Sequence, residues 1–299
     1  MAAMQVRILK IAYREPKQRK EKTIDFLNKI LSITEEYASR AYKLTLRQLF
    51  YQLVSDETIP NTQNEYFRLG KLLTEARMTG LIDWEIIEDR IRIPQMPNHF
   101  ADIQELIEAA LSSFKLDRWK LQGNYVEVWV EKDALAGILA QITENYHVCL
   151  QVNRGYPSTS ALHDASLRLK QKDQEEKQTH ILYLGDHDPS GEDMVRDITA
   201  RLEEFGCNVS VKKIALLKKQ IKKYRLPPNP AKIKDPRTKG YITEHGSGSW
   251  ELDALPPDVL TKIVESEIER LLDVKNFEKI LRLEKTERSK LREMANNFL

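Results

Sequence analysis

Three carboxylates stand where chemistry is easiest to build. In His180-Ile181-Leu182-Tyr183-Leu184-Gly185-Asp186-His187-Asp188-Pro189-Ser190-Gly191, the run Ile181 to Leu184 reads as a buried strand and Gly185 turns the chain out of it. Asp186 and Asp188 follow two residues apart, at the strand end where open α/β sheets bind ligands. Free Asp has a pKa of ~3.9, so both are charged at neutral pH. Two such charges ~4 Å apart repel by about 4 kcal/mol at an effective dielectric of ~20. A hard divalent cation relieves that repulsion, and Mg²⁺ favours sites with one or two carboxylates plus phosphate oxygens. The third carboxylate, Glu131, ends the apolar run Val126-Glu127-Val128-Trp129-Val130 in the same way. The 55 residues from Glu131 to Asp186 leave room for a helix, a strand and another helix, so the two strands can be sheet neighbours.

Glu at the end of one strand and Asp-x-Asp at the end of a later one resemble the Toprim pattern of topoisomerases, primases and OLD-type nucleases. Asp186-His187-Asp188-Pro189-Ser190-Gly191, preceded by Asn153-Arg154-Gly155-Tyr156-Pro157-Ser158, is similar to the topoisomerase VI A subunit and its meiotic double-strand-break relatives. Arg47-Gln48-Leu49-Phe50-Tyr51 resembles that family's Arg-x-x-aromatic-Tyr motif, with Phe50 where the family usually has Tyr. The resemblance covers residues 40–255 and says nothing of the C-terminal helices. It implies an α/β Toprim (Rossmann-like) domain behind an N-terminal winged helix, with Glu131, Asp186 and Asp188 holding Mg²⁺ (or Mn²⁺) against a scissile phosphate of double-stranded DNA. Tyr51 would attack that phosphate and become linked to the 5′ end, and Glu131 would serve as general acid or base to the leaving 3′ oxygen. In the family the tyrosine of one protomer meets the carboxylates of the other, which implies a homodimer.

The residues themselves leave alternatives open. A phenol of pKa ~10 is about 0.1% ionised at pH 7, so Tyr51 needs help, and Arg47 one turn earlier can stabilise phenolate or phosphorane charge. A tyrosine on a half-buried helix face is equally a packing residue, and cleavage would then use metal-activated water, as in OLD-type or Wadjet-type nucleases. A third reading is a DNA-binding module that does not cut. His187 points away from its Asp neighbours in extended geometry and reads as a bystander. Gly155 and Pro157 read as turn formers, and Gly191 as the opening of a helix that begins Glu192-Asp193. Glu251, after a Gly/Ser loop, could reach the site, but reads first as a capping or surface residue. Lys132 can contact phosphate or simply be solvated. Lys212, Lys213, Lys218, Lys219, Lys222 and Lys223, with Arg225, crowd one stretch, and Arg68 and Lys71 share a helix face with Asn64. Phosphate neutralisation by such residues gives salt-sensitive DNA binding.

The elements that must hold these residues follow from periodicity. Residues 22–40 read as an amphipathic helix, Thr45 caps a second through Val54, and Thr62 or Asn64 opens a third that Gly80 ends. Residues 84–93 have the look of a β-wing, which completes the order of a winged helix-turn-helix. Residues 101–114 form a linking helix, strands and helices alternate from Asn124 to Ile214, residues 227–250 read as a long loop, and 258–297 as two charged helices. In the first of those, Ile263, Val264, Ile268, Leu271 and Leu272 form the apolar face. The expected division is 1–93, 94–123, 124–257 and 258–299.

Composition narrows the classes. A chain of 299 residues, 41% hydrophobic, has material for real cores. A net charge of only +2 confines nucleic-acid binding to local patches. Cys149 and Cys207 fit no metal pattern and read as core thiols of a cytosolic protein. No apolar run spans a bilayer and the first residues carry no secretory pattern, so a cytoplasmic, nucleoid-associated setting is expected. No Gly-x-x-x-x-Gly-Lys-Ser/Thr loop is present, so strand passage would need an ATPase partner subunit.

Overall fold

Strand β1, Asn124–Val130, is the axis of the fold in the computed structural model, which describes residues 13, 15, 21–40, 42–84, 87, 97, 99–230 and 238–298. On one side β1 pairs with β2, Cys149–Val152, and on the other with β3, Gln178–Leu184, which pairs in turn with β4, Val209–Ala215. All pairings are parallel, in the order β2-β1-β3-β4. The chain therefore moves outward from β1 to β2, then crosses back to β3. The crevice between the ends of β1 and β3 is the topological switch point of the sheet. Register sets Val130 beside Leu184, so Glu131 and Gly185-Asp186 leave the sheet side by side.

Helix α5, Ala136–Tyr146, joins β1 to β2; α6, Thr159–Gln174, joins β2 to β3; α7, Pro189–Glu204, joins β3 to β4. Alternation along the strands decides the two faces. Trp129, Ile181 and Tyr183 pack with Leu162, Leu169, Met194 and Ile198 of α6 and α7. Val128, Val130, Leu182 and Leu184 join Leu139 of α5 and Val264 of α10, Pro257–Glu269. Glu127 is a charged exception on the first face. It is fully buried, and Arg168 of α6 grips it with two bonds of 3.1 Å, a fork that ties helix to strand.

Three helices precede the sheet: α1, Glu21–Ser39; α2, Leu46–Ser55; and α3, Gln63–Met78. Thr45 and Gln48 form a reciprocal capping box on α2, and Thr62 caps α3 through Glu65 N–H. The core that these helices share with the sheet is continuous, from Leu27 and Leu49 to Val130 and Val264. Of the β-wing expected over 84–93, only Trp84 and Ile87 belong to the described residues; Ile87 bridges Leu44 just before α2. The linking helix α4, Ile103–Ser113, lies against α11, Val274–Phe298. Among the described residues, no helix is long and apolar enough to cross a membrane.

The segment expected as a loop over 227–250 carries more order than its composition suggests. It follows α8, Lys218–Tyr224. Its β5, Asn229–Pro230, pairs antiparallel with β6, Gly248–Ser249, and α9, Thr238–His245, stands between. Long-range partners supply the order: Trp250 exchanges two backbone bonds with His187, and its indole donates to the Leu226 carbonyl.

Candidate functional site

The first turn after β3 is built around one close approach. Asp188 is the N-cap of α7, and its Oδ1 accepts from Ser190 N–H at 3.1 Å and Gly191 N–H at 2.8 Å. The helix thus starts at Pro189, earlier than the Glu192 start expected from sequence. A Cβ on Gly191 would lie 2.1 Å from the Asp186 carbonyl oxygen. Gly191→Ala should therefore push α7 off Asp186 and cost about 1–3 kcal/mol, read as a lower urea midpoint with an unchanged slope. An unaltered midpoint would show that the turn can relax.

Glu131 is held in the switch-point crevice. Its Oε2 accepts from Asp186 N–H at 3.0 Å and from the Tyr183 hydroxyl at 3.3 Å. Its carbonyl accepts from Gly155 N–H, in a turn where Gly155 has φ +98°, a conformation that favours glycine. The Gly155 turn therefore braces the end of β1, the turn-forming role expected of it.

Asp186 is 6% exposed, and its Oδ1 accepts from Leu252 N–H at 2.8 Å and lies 2.9 Å from Lys132 Nζ. Burial raises its pKa to about 7; Lys132 pulls it down, and Glu131 and Glu251 push it up. The Lys132 ammonium also lies 2.6 Å from Glu251 Oε2 and 3.0 Å from Asp253 Oδ2. Burial opposes the charge on Lys132, yet these three carboxylates hold its pKa above the usual lysine value. Arg47, from α2, reaches the same pair: Nε donates to Asp253 Oδ2 at 3.1 Å, and a terminal nitrogen donates to Glu251. Glu251 stands at the N-cap position of the 3-10 turn Leu252–Ala254, but its side chain makes no cap bond and reaches into the site instead, the alternative that the sequence left open. Burial would raise its pKa, but Lys132 and Arg47 bring it down to about 2. Asp253, which sequence pattern alone does not single out, joins them. It is fully buried, and its Oδ1 has no hydrogen-bond partner among the described residues. Its signal in the sequence is Glu251-Leu252-Asp253, the same alternate-carboxylate spacing as Asp186-His187-Asp188.

Tyr51 sits one turn after Arg47, whose guanidinium lies 5.7 Å from the ring centre. The residue is 4% exposed, and its oxygen accepts from Asn229 Nδ2 at 3.3 Å. Burial, then the charge of Glu251, lifts its pKa to about 12 against the opposing effects of Asn229, Arg47 and Lys132. Tyr51, Arg47, Asp186, Asp188 and Glu251 line one cleft of about 370 Å³, shared with Asn61, Tyr66, Phe67 and Trp250. The resemblance implies a tyrosine reaching a partner's carboxylates; here it shares a cleft with Asp186 and Asp188 of its own chain.

The hard oxygen donors suit a dication. Among the described residues, five carboxylates (Glu131, Asp186, Asp188, Glu251, Asp253) stand beside two cations (Lys132, Arg47), and the buried Asp253 oxygen lacks a donor. Among the described residues no three His, Cys, Asp or Glu side chains converge as a ready cage, and Lys132 stands among the carboxylates.

His187 is more than a bystander in the fold. It is buried, bonds Glu192 at 2.6 Å through Nδ1, and packs on Tyr241, His245 and Trp250. Glu192 also takes the Lys213 ammonium at 2.7 Å. Burial would raise the Glu192 pKa, but His187 and Lys213 lower it to about 2. A depressed folded pKa gives stability that is present above the unfolded value of 4.5 and lost as pH falls toward 2. With its carboxylate 30% exposed, Glu192→Gln should cost about 2 kcal/mol at pH 7 and flatten the acid limb of stability between pH 4.5 and 2. Acid unfolding followed by circular dichroism checks this, and an unchanged limb would refute it.

The basic residues divide. Lys213 does not belong to a DNA-facing patch, because its ammonium is spent inside on Asp186 O, Gly191 O and Glu192. Lys132 is likewise spent on carboxylates, and Lys212 pairs with Glu267 of α10 at 2.7 Å. Lys218, Lys219, Lys222 and Lys223 stand exposed along α8. Arg68 and Lys71 are exposed on α3, with Arg68 paired to Glu65 at 2.6 Å. Cys207 is buried and Cys149 half-buried, both as free thiols. No protein-family model matches this chain, and no curated protein matches it.

Proposed function

We propose that this chain is a Mg²⁺-dependent DNA-cleaving enzyme of the topoisomerase VI A kind, with a Toprim domain at 124–257 and a winged-helix DNA-binding unit ahead of it. The observation that carries the reading is the shared cleft: Tyr51 and Arg47 from α2 open onto Asp186 and Asp188 at the switch point of the sheet. In the reaction, the Tyr51 oxygen bonds to phosphorus while the bond from phosphorus to the 3′ oxygen breaks. The phenol proton leaves to solvent water, and the departing 3′ oxygen takes a proton from solvent, with Glu131 relaying it as general acid or base. The product is a 5′-phosphotyrosine and a free 3′ hydroxyl, which conserves the phosphodiester for religation.

Mg²⁺ held by Glu131, Asp186 and Asp188 would supply positive charge to the phosphoryl oxygens. An added phosphate meets a site where acids outnumber bases, so charge balance favours such a cation. Arg47 stabilises charge at the tyrosine once phosphate competes for it with Glu251 and Asp253. The lysines of α8 with Arg68 and Lys71 supply salt-sensitive contacts to duplex phosphates. Cutting both strands takes two sites, so the reading includes a homodimer, and strand passage would need an ATPase partner subunit. A second reading has its own support. Tyr51 is buried with a raised pKa and Arg47 is already paired, which favours a Toprim nuclease in which water attacks and Tyr51 packs.

The test is supercoiled plasmid with Mg²⁺ or Mn²⁺, quenched in denaturant. Protein linked to 5′ ends, lost in both Tyr51→Phe and Asp186→Ala, supports the transesterase. Cleavage that survives Tyr51→Phe and needs Asp186 establishes the hydrolytic reading; intact plasmid under all conditions overturns both.

A further inference from the structure

A second, larger hollow adjoins the site. It measures about 730 Å³ and runs along α3, with Leu46, Tyr66, Phe67 and Gly70 in its wall and Lys71 at its side. Tyr66 and Phe67 line both hollows, so the two meet across this pair. Phe67 is 55% exposed, a large apolar ring left in water on the shared lip. Tyr66 backs it at 6.1 Å and is itself set edge-on against Phe50 at 5.4 Å, so the platform is braced from the core. Gly70 keeps the floor low; among the described residues, a Cβ there would meet Leu46 Cδ2 at 3.4 Å.

The chemistry of this trough selects what enters it. Its wall is mostly apolar, with Glu15 and Glu75 set against Lys71, so a flat, uncharged ring is welcomed inside and a phosphate only beside Lys71. Lys71, one turn from Phe67, can meet the phosphate that links such a ring to the next. A base within a duplex is already stacked on both faces and cannot take Phe67 as a partner. Pockets of about 300–1,000 Å³ each hold one ligand of drug size, on the scale of a nucleotide and far below a double helix.

We propose that the α3 trough binds the bases of an unpaired DNA strand next to the scissile phosphate, with Phe67 as stacking platform and Lys71 as phosphate contact. This rests on the cleavage reading above and adds that the strand is read single-stranded at the site. Base–aromatic stacking lost on truncation weakens binding by about five- to a hundredfold.

The experiment is fluorescence anisotropy in EDTA with three labelled probes of equal length: a single strand, the same strand fully abasic, and a blunt duplex. The single strand should bind more tightly than the abasic strand. Phe67→Ala should remove that difference and leave duplex affinity unchanged, while Phe67→Trp should keep it. Equal affinity for normal and abasic strands overturns the proposal, as does a loss in Phe67→Ala that is the same for all three probes. Base-dependent binding without plasmid cleavage upholds the trough and refutes the cleavage reading; cleavage with no base dependence does the reverse.

Discussion

Asp186→Asn is expected to lose strand cleavage and to gain stability at pH 8. The loss follows from its place: Asp186 shares the cleft with Tyr51 and is one of the three carboxylates proposed for Mg²⁺, so cleavage should fall by at least about 10³-fold. The gain follows from its surroundings. Its folded pKa is raised from 3.8 to about 7 by burial beside Glu131 and Glu251. A raised folded pKa means stability that is fully present below the unfolded value and lost as pH climbs through the folded one. Wild type should therefore weaken between about pH 4 and 7 through this residue, and the amide should not. The amide oxygen can still accept from Leu252 N–H and Lys132, so no buried donor is orphaned. The expected difference is about 1–2 kcal/mol at pH 8 in favour of the variant, vanishing near pH 4. Urea unfolding at the two pH values measures it. Equal destabilisation at both would mean that Asp186 is a structural residue, and a variant that still cuts would remove it from the chemistry.

The parts of this site that sequence reveals are those fixed by local pattern. Glu131, Asp186 and Asp188 were legible because each follows an apolar strand, and parallel β1 and β3 then place them together whatever the rest does. The start of α2 was legible because Thr45 and Gln48 cap within one turn. What was hidden depends on contacts across the chain. Glu251 and Asp253 owe their role to Arg47, more than 200 positions away, and to Lys132. No periodicity in a Gly/Ser-rich stretch announces that. Lys213 looked like its neighbours in a basic run, yet strand alternation turns it inward to Glu192, while α8 leaves its lysines outside. Residue type supplied the charge, and only topology decided which charges meet water.

Lys132→Met tests that balance of charges most severely. The ammonium is 18% exposed and touches Asp186, Glu251 and Asp253, so its loss leaves three acids facing one another with Arg47 as the remaining cation. Breaking a buried ion cluster from one side costs about 3–5 kcal/mol, and the Tm at pH 8 should drop by on the order of 10 °C. The penalty should shrink at pH 5. Without Lys132, which holds it down, the already raised folded pKa of Asp186 rises further, and stability tied to a raised value returns as pH falls below it. Lys132→Arg keeps the charge and should lose far less. Divalent cation adds the decisive contrast. If the acids are a cation site, millimolar Mg²⁺ should raise the Tm of Lys132→Met more than that of wild type, because the ion takes up the charge that the lysine leaves. A variant whose Tm is indifferent to Mg²⁺ and Mn²⁺ would show that the cluster is a salt bridge and no more. Cleavage would then have to be sought away from these carboxylates.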